Sequence, residues 1–225
     1  MHLAQQSPFT SDSLGLCNDI LLQFRRTLHR ELDEALAHST ADTAQTLQSI
    51  YIAAEDLMDR AVFVFMNHVL TAMQMKGGLL ESLEVAMSKA KRHALASLMG
   101  AAQSSLGELR LQLVELKDGF VMLLGRLSSL ASLAQTTSNQ CVVRDHGAAC
   151  CRLKCCVKTL NDCSDFWELL QDTEVSLAVL EASARSVRSE LLSARRIPGL
   201  PPQCKPFLSG LRSMCTQCCL ACQAH

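Results

Sequence analysis

The side chains best equipped for chemistry in this 225-residue chain are its twelve cysteines. Most fall into two groups. Cys150, Cys151, Cys155, Cys156 and Cys163 form the first. Cys204, Cys215, Cys218, Cys219 and Cys222 form the second, with His225 close behind. Thiolates at such spacings could hold a soft metal, carry an acyl chain or take part in redox exchange.

The metal reading rests on the second group. Cys215-Thr216-Gln217-Cys218 and Cys219-Leu220-Ala221-Cys222 are two C-x-x-C pairs. Two thiolates across a turn can meet at one zinc ion, but a complete site needs two such pairs separated by a loop, and here they abut. If the segment is helical, Cys215, Cys219 and Cys222 lie along a stripe about 10 Å long, too spread for a single ion. Cys215, Cys218, Cys219, Cys222 and His225 are therefore candidate ligands only for a non-helical tail or with ligands from outside, and no cofactor is assigned. The first group sits at the start of one long predicted helix and the second beyond its far end, about 70 Å away, so they do not combine within one chain.

The acylation reading names Cys151 and Cys155, one turn apart on an outer helix face beside Arg152, Lys154 and Lys158. It also names Cys218 and Cys219, in a segment with Lys205 and Arg212. The final Cys222-Gln223-Ala224-His225 lacks the aliphatic middle residues of a prenylation signal. Cys156 and Cys163 fall at apolar seam positions, where a thiol packs as a small hydrophobe.

Other chemistry is not legible. There is no H-E-x-x-H, no G-x-S-x-G, no P-loop, no dinucleotide glycine pattern and no paired Glu-x-x-His. His68 lies on a seam and reads as a core histidine; Glu34 and His38 read as a surface pair. The basic stretches Arg25-Arg26, His29-Arg30 and Lys89, Lys91-Arg92-His93 read as solvated faces, or as contacts for anionic lipid or an acidic partner. A net charge of −1 supplies no basic surplus to displace counterions from nucleic acid. No basic-then-apolar leader opens the sequence, and the apolar runs from Ala61 and from Val121 fall short of the roughly 20 residues of a membrane span. A cytoplasmic protein with thiols rather than disulfides is the expectation.

The elements that must position these residues are helices. Leu, Ala and Met carry the apolar load, and no proline occurs from Ser11 to Ile197. Leu14, Cys17, Leu21, Phe24 and Leu28 follow 3,4 spacing; Leu47, Ile50, Ala54, Leu57, Ala61, Val64 and His68 do the same. The longest seam is Leu106, Leu109, Leu113, Leu116, Phe120, Leu123, Leu127 and Leu130, extending back through Ala102 and Met99 to Leu95. Gly100, Gly107, Gly119 and Gly125 fall off it and mark a second, close-packed face or slight bends. Another seam runs from Leu153 to Leu170, takes a short step to Thr173 and continues through Leu191, and that step predicts local overwinding.

The spacing predicts an all-α fold: an elongated antiparallel bundle of three or four long heptad-patterned helices with a short Cys-rich C-terminal tail. A tail over 1–10 precedes helices at about 12–38, 42–76, 79–135 and 148–196 within a bundle domain spanning 11–196. The first two helices could be continuous, Gly77-Gly78 forms a stop, 136–147 is a loop, and a proline break and tail occupy 197–225. In outline such an arrangement resembles spectrin-type repeats and the long-helix membrane-curving BAR modules, at the level of architecture alone.

The functional expectation is a non-enzymatic interaction or scaffold protein. Its seam residues from Leu106 to Leu130 would pair with other helical proteins or with a second copy in a cytoskeletal or trafficking assembly. The alternatives are a peripheral membrane protein held by acylated cysteines, and a metal-binding or redox protein using the tail.

Overall fold

Apolar residues at 3,4 spacing give helix throughout the described chain. The computed structural model describes residues 11–37, 41–140, 144–193 and 200–223, with side chains outside 11–20, 41–43, 137–140, 144–149, 164–165 and 219–223. Among these residues there is no strand. The elements are α1 (Ser11–Ala37), α2 (Ala41–Gln74), a π-helical stretch (Met75–Leu80), α3 (Glu81–Ser88), α4 (Arg92–Gln140), α5 (Arg144–Asp162), α6 (Ser164–Ser193) and α7 (Cys204–Gln223). The all-α class holds, but the helices are more numerous than three or four.

The chain divides into two compact units. One is built on Leu16–Phe63 and Glu115–Glu168. In it α1 folds back on α2: the Arg25 guanidinium pairs with Glu55 and Asp59, and His29 with Glu55. These contacts exclude a single continuous helix through the first two segments; residues 38–40 lie outside the described chain. α4 runs antiparallel to α2, with Arg60 on Glu115 and Arg126 Nη2 donating to Ser49 Oγ at 3.0 Å. Phe120 of α4 is the aromatic centre. Phe24, Phe166 and Trp167 meet it edge-on, at centroid separations of 6.4, 5.2 and 6.0 Å. α5 is held to α1 by Arg152, whose guanidinium reaches Glu31 at 3.1 Å and Glu34 at 2.5 Å. Glu31 is buried, and burial alone would raise its pKa. Hydrogen bonds from Arg30 and Arg152 outweigh that and hold it below the usual carboxylate range.

The other unit is built on Val64–Val114 and Leu169–His225. Asn67 Nδ2 of α2 donates to Gln112 Oε1 of α4 at 2.8 Å. α4 meets α6 where Arg110 and Arg185 both reach the buried Glu181, at 3.2 and 2.6 Å. α7 is a full member of this unit. Cys204, Phe207, Leu211, Met214, Cys215 and Cys218 are buried, and α7 packs on the π-helical stretch. The expected tail is thus an amphipathic helix with its own apolar stripe. Pro206 sits in its first turn, where the missing N–H costs nothing.

Three expected boundaries move. Gly77-Gly78 is not a stop: neither glycine takes a positive φ, and the chain winds on as π-helix. The reason is spacing. Met75 and Leu80 are both buried and five residues apart, and an i→i+5 winding returns both to one face. The stop comes at Lys89–Lys91. There Ala90 takes φ 48°, its N–H bonds to Met87 O at 3.1 Å, and Lys91 N–H bonds to Ala86 O at 2.9 Å. This is a Schellman motif with alanine where glycine is usual. The expected 136–147 loop is helical through Gln140 and again from Arg144; residues 141–143 lie outside the described chain.

The fourth expected helix, 148–196, is divided at Cys163. The Trp167 indole N–H donates to Leu160 O at 3.0 Å, taking the carbonyl that a continuing helix would have bonded to its own backbone. The step from Leu170 to Thr173 stays inside α6, with both residues buried. Three of the off-seam glycines face neighbours: a Cβ on Gly119 would come within 2.7 Å of Leu57 Cδ1, on Gly100 within 3.3 Å of Arg188, and on Gly107 within 3.6 Å of Glu181.

Two outcomes follow for stability. Ala90→Gly removes a left-handed alanine from an exposed turn and should raise unfolding free energy by about 1 kcal/mol, read from urea midpoints. His68 is 2% exposed, with Nδ1 2.9 Å from Val64 O, and burial pushes its imidazole down to about 4. The unfolded chain binds that proton at about pH 6.5 and the folded chain does not. Stability therefore falls as pH drops from about 6.5 to about 4, by about 3 kcal/mol in all. His68→Leu should lose less stability than the native chain between about pH 7 and about pH 4.5. Equal acid losses would show that His68 carries no such term.

Candidate functional site

The cysteines of α5 are sorted by the helix itself. Cys150 and Cys156 point inward, and the Cys150 thiol donates to Ala131 O at 3.6 Å. Burial pushes the Cys156 thiol up to about 12, so it stays protonated and inert. Cys151 and Cys155 are exposed, with Lys154 and Lys158 exposed on the same side. Among the second group, Cys215 and Cys218 are buried in the packing of α7, and Cys218 touches Ala72. Acylation of Cys218 would require α7 to lift. The side chains of Cys219 and Cys222 and all of His225 lie outside the described residues. Among the described residues no three His, Cys, Asp or Glu side chains are placed to share a metal ion.

The seam from Leu106 to Leu130 is buried inside the chain: Leu106, Leu109, Leu113, Leu116, Phe120, Leu123, Leu127 and Leu130 are all core. Leu123 and Leu130 also form part of the wall of a groove between α2 and α4.

One polar constellation escaped the sequence. Tyr51, His29 and Glu55 form a chain across α1 and α2: His29 Nε2 donates to Glu55 at 2.5 Å, which leaves Nδ1 to the Tyr51 hydroxyl. The order resembles a nucleophile–base–acid relay. The phenol, however, is held above its ordinary pKa, first by burial and then by Asp33 and Glu55, which works against a tyrosinate nucleophile. With Arg25 also on Glu55, the arrangement is an ion-pair network fastening α1 to α2. Of this basic stretch, Arg25, His29 and Arg30 are engaged by acids, and Arg26 is exposed.

Among the described residues, this groove, in the unit that holds Phe120, has room for a ligand. It consists of two adjoining depressions of about 280 and 470 Å³ that share Met122 and Arg126. Leu57, Arg60 and Gly119 line the first; Ile50, Gly125 and Leu133 line the second. Gly125 leaves the floor open, since a Cβ there would meet nothing within 4 Å. Met122 is 69% exposed and Leu133 58%. Arg126 donates to Ser49 and lines the first depression together with Asp56 and Arg60, the latter paired with Glu115. The sequence held one faint signal of it, glycine and methionine off the α4 seam. In the other unit, Met66, Leu70 and Met73 of α2 are exposed at 4,3 spacing. An open apolar trough with an arginine at its edge suits an amphipathic helix better than a small reacting molecule.

No protein-family model matches this chain, and a search of curated proteins finds no match, so the groove is read on its own geometry.

Proposed function

We propose that this protein is a non-enzymatic helical interaction subunit, whose partners are other helices laid into the groove between α2 and α4. The observation that carries the reading is the groove itself: exposed Met122 and Leu133 beside Gly125 and Arg126, on a chain whose main seam is already closed. The recognised helix would set apolar side chains against Met122 and Leu133 at i and i+11, the spacing that separates those two residues on α4. It would turn a carboxylate toward Arg126. In the other unit, Met66, Leu70 and Met73 of α2 offer a second exposed apolar stripe of the same kind.

The proposed setting is the cytoplasm, in a cytoskeletal or trafficking assembly. The unbridged thiols at Cys150, Cys151, Cys155, Cys156 and Cys204 suit a reducing compartment. No described helix is long and apolar enough to cross a membrane.

Met122→Glu combined with Leu133→Glu should leave folding within about 0.5 kcal/mol of the native chain, because both side chains are already in water. The same pair should abolish co-purification of helical partners, compared by affinity purification with mass spectrometry and by light scattering. Partners retained by the double variant, or a native chain that is monomeric and partnerless, would overturn the reading.

A further inference from the structure

The four cysteines of Cys150-Cys151-Arg152-Leu153-Lys154-Cys155-Cys156 are split by α5 into an inner pair and an outer pair. We propose that the outer pair, Cys151 and Cys155, is a modification site for S-glutathionylation, selected by the adjoining lysines and protected from internal disulfide closure by the helix. This does not rest on the groove.

Three observations carry it. The first is access: Cys151 and Cys155 are exposed, whereas Cys150 and Cys156 are buried. The second is charge. Lys154 and Lys158 are exposed among the two thiols, while Arg152 is taken up by Glu31 and Glu34. The acid on that stripe, Asp162, lies about two turns beyond Cys155. An anionic disulfide is drawn to such a face. An acyl chain is not favoured there, because the outer stripe of Cys151, Lys154, Cys155 and Lys158 holds no large apolar side chain for a membrane. The third is distance. Residues at i and i+4 hold their Cβ atoms about 5–6 Å apart, beyond the roughly 3.5–4.5 Å that a disulfide needs.

The reaction is thiol–disulfide exchange. The thiolate of Cys151 or Cys155 attacks one sulfur of oxidised glutathione, and the glutathione S–S bond breaks as the protein–glutathione S–S bond forms. The departing glutathione thiolate takes up the proton that the cysteine gave up. The protein sulfur is oxidised and one glutathione is reduced. In most exposed dithiols a second thiol would expel the glutathione and close an internal disulfide. Here the helix keeps that thiol out of reach, so the adduct persists.

The test treats the full chain with oxidised glutathione under native conditions and maps adducts by mass spectrometry. Trypsin cuts after Arg152 and Lys154, so the two outer cysteines report on separate peptides. Adducts are expected on Cys151 and Cys155, with Cys150 and Cys156 modified only in denaturant and no Cys151–Cys155 disulfide. Lys154→Glu with Lys158→Glu should slow the reaction with oxidised glutathione about three- to tenfold and leave the rate with neutral hydroxyethyl disulfide unchanged. If that variant folds poorly by circular dichroism, added salt on the native chain should reduce the same preference. An internal disulfide, equal labelling of Cys150 and Cys156, a glutathione rate indifferent to both lysines and salt, or thioester-linked acyl groups on these positions in cell-derived protein would each overturn the proposal.

Discussion

A helix of 49 residues with an unbroken apolar stripe cannot leave that stripe in water, and the covering of α4 organises both units. Each large seam residue is worth about 1.5–3 kcal/mol when buried. Four of them left bare would cost about 6–12 kcal/mol, as much as the whole net stability of an ordinary domain. Each half of α4 is therefore enclosed by its own set of helices. From Glu115 onward the cover is α1, the first part of α2 and α5. Before it the cover comes from the rest of α2 and from α6. The seam residues are accordingly buried within the chain.

Polar side chains then fix which way the helices run and in what register. Eleven residues separate Ser49 from Arg60 and eleven separate Glu115 from Arg126, so two pairs hold α2 and α4 in one antiparallel alignment. Exposed pairs of this kind contribute little energy. Their service is to distinguish one alignment from its neighbours, which apolar stripes of equal spacing do poorly. Glu31 is different because it is buried. Its two arginines keep it ionised, so its share of stability is present at neutral pH and is lost as pH falls through its lowered pKa.

The seams were legible in the sequence because 3,4 spacing is a local property: each of the eight seam residues between Leu106 and Leu130 is core, as its position in the pattern implies. The boundaries were less legible because their causes are not local. Ala90 carries no glycine to announce a left-handed turn, and the break at Cys163 is stabilised by an indole from Trp167. Gly77 and Gly78 pointed the wrong way because a π-winding imitates the end of a helix in composition while continuing it in space. The sorting of Cys151 and Cys155 from Cys150 and Cys156 follows from the heptad register. The groove does not, since it exists only once the alignment of α2 with α4 is known.

The position of α7 has a consequence for the birth of the protein. The unit that ends at Glu168 has all its pieces before the last part of the chain is made, and it can close while synthesis continues. The other unit must wait for Phe207, Leu211 and Cys218. Until they emerge, the final turns of α2 and the π-helical stretch lack part of their cover. Ribosomal transit thus creates a window, seconds long at about 5–20 residues per second, in which a half-clothed apolar surface invites chaperones or aggregation.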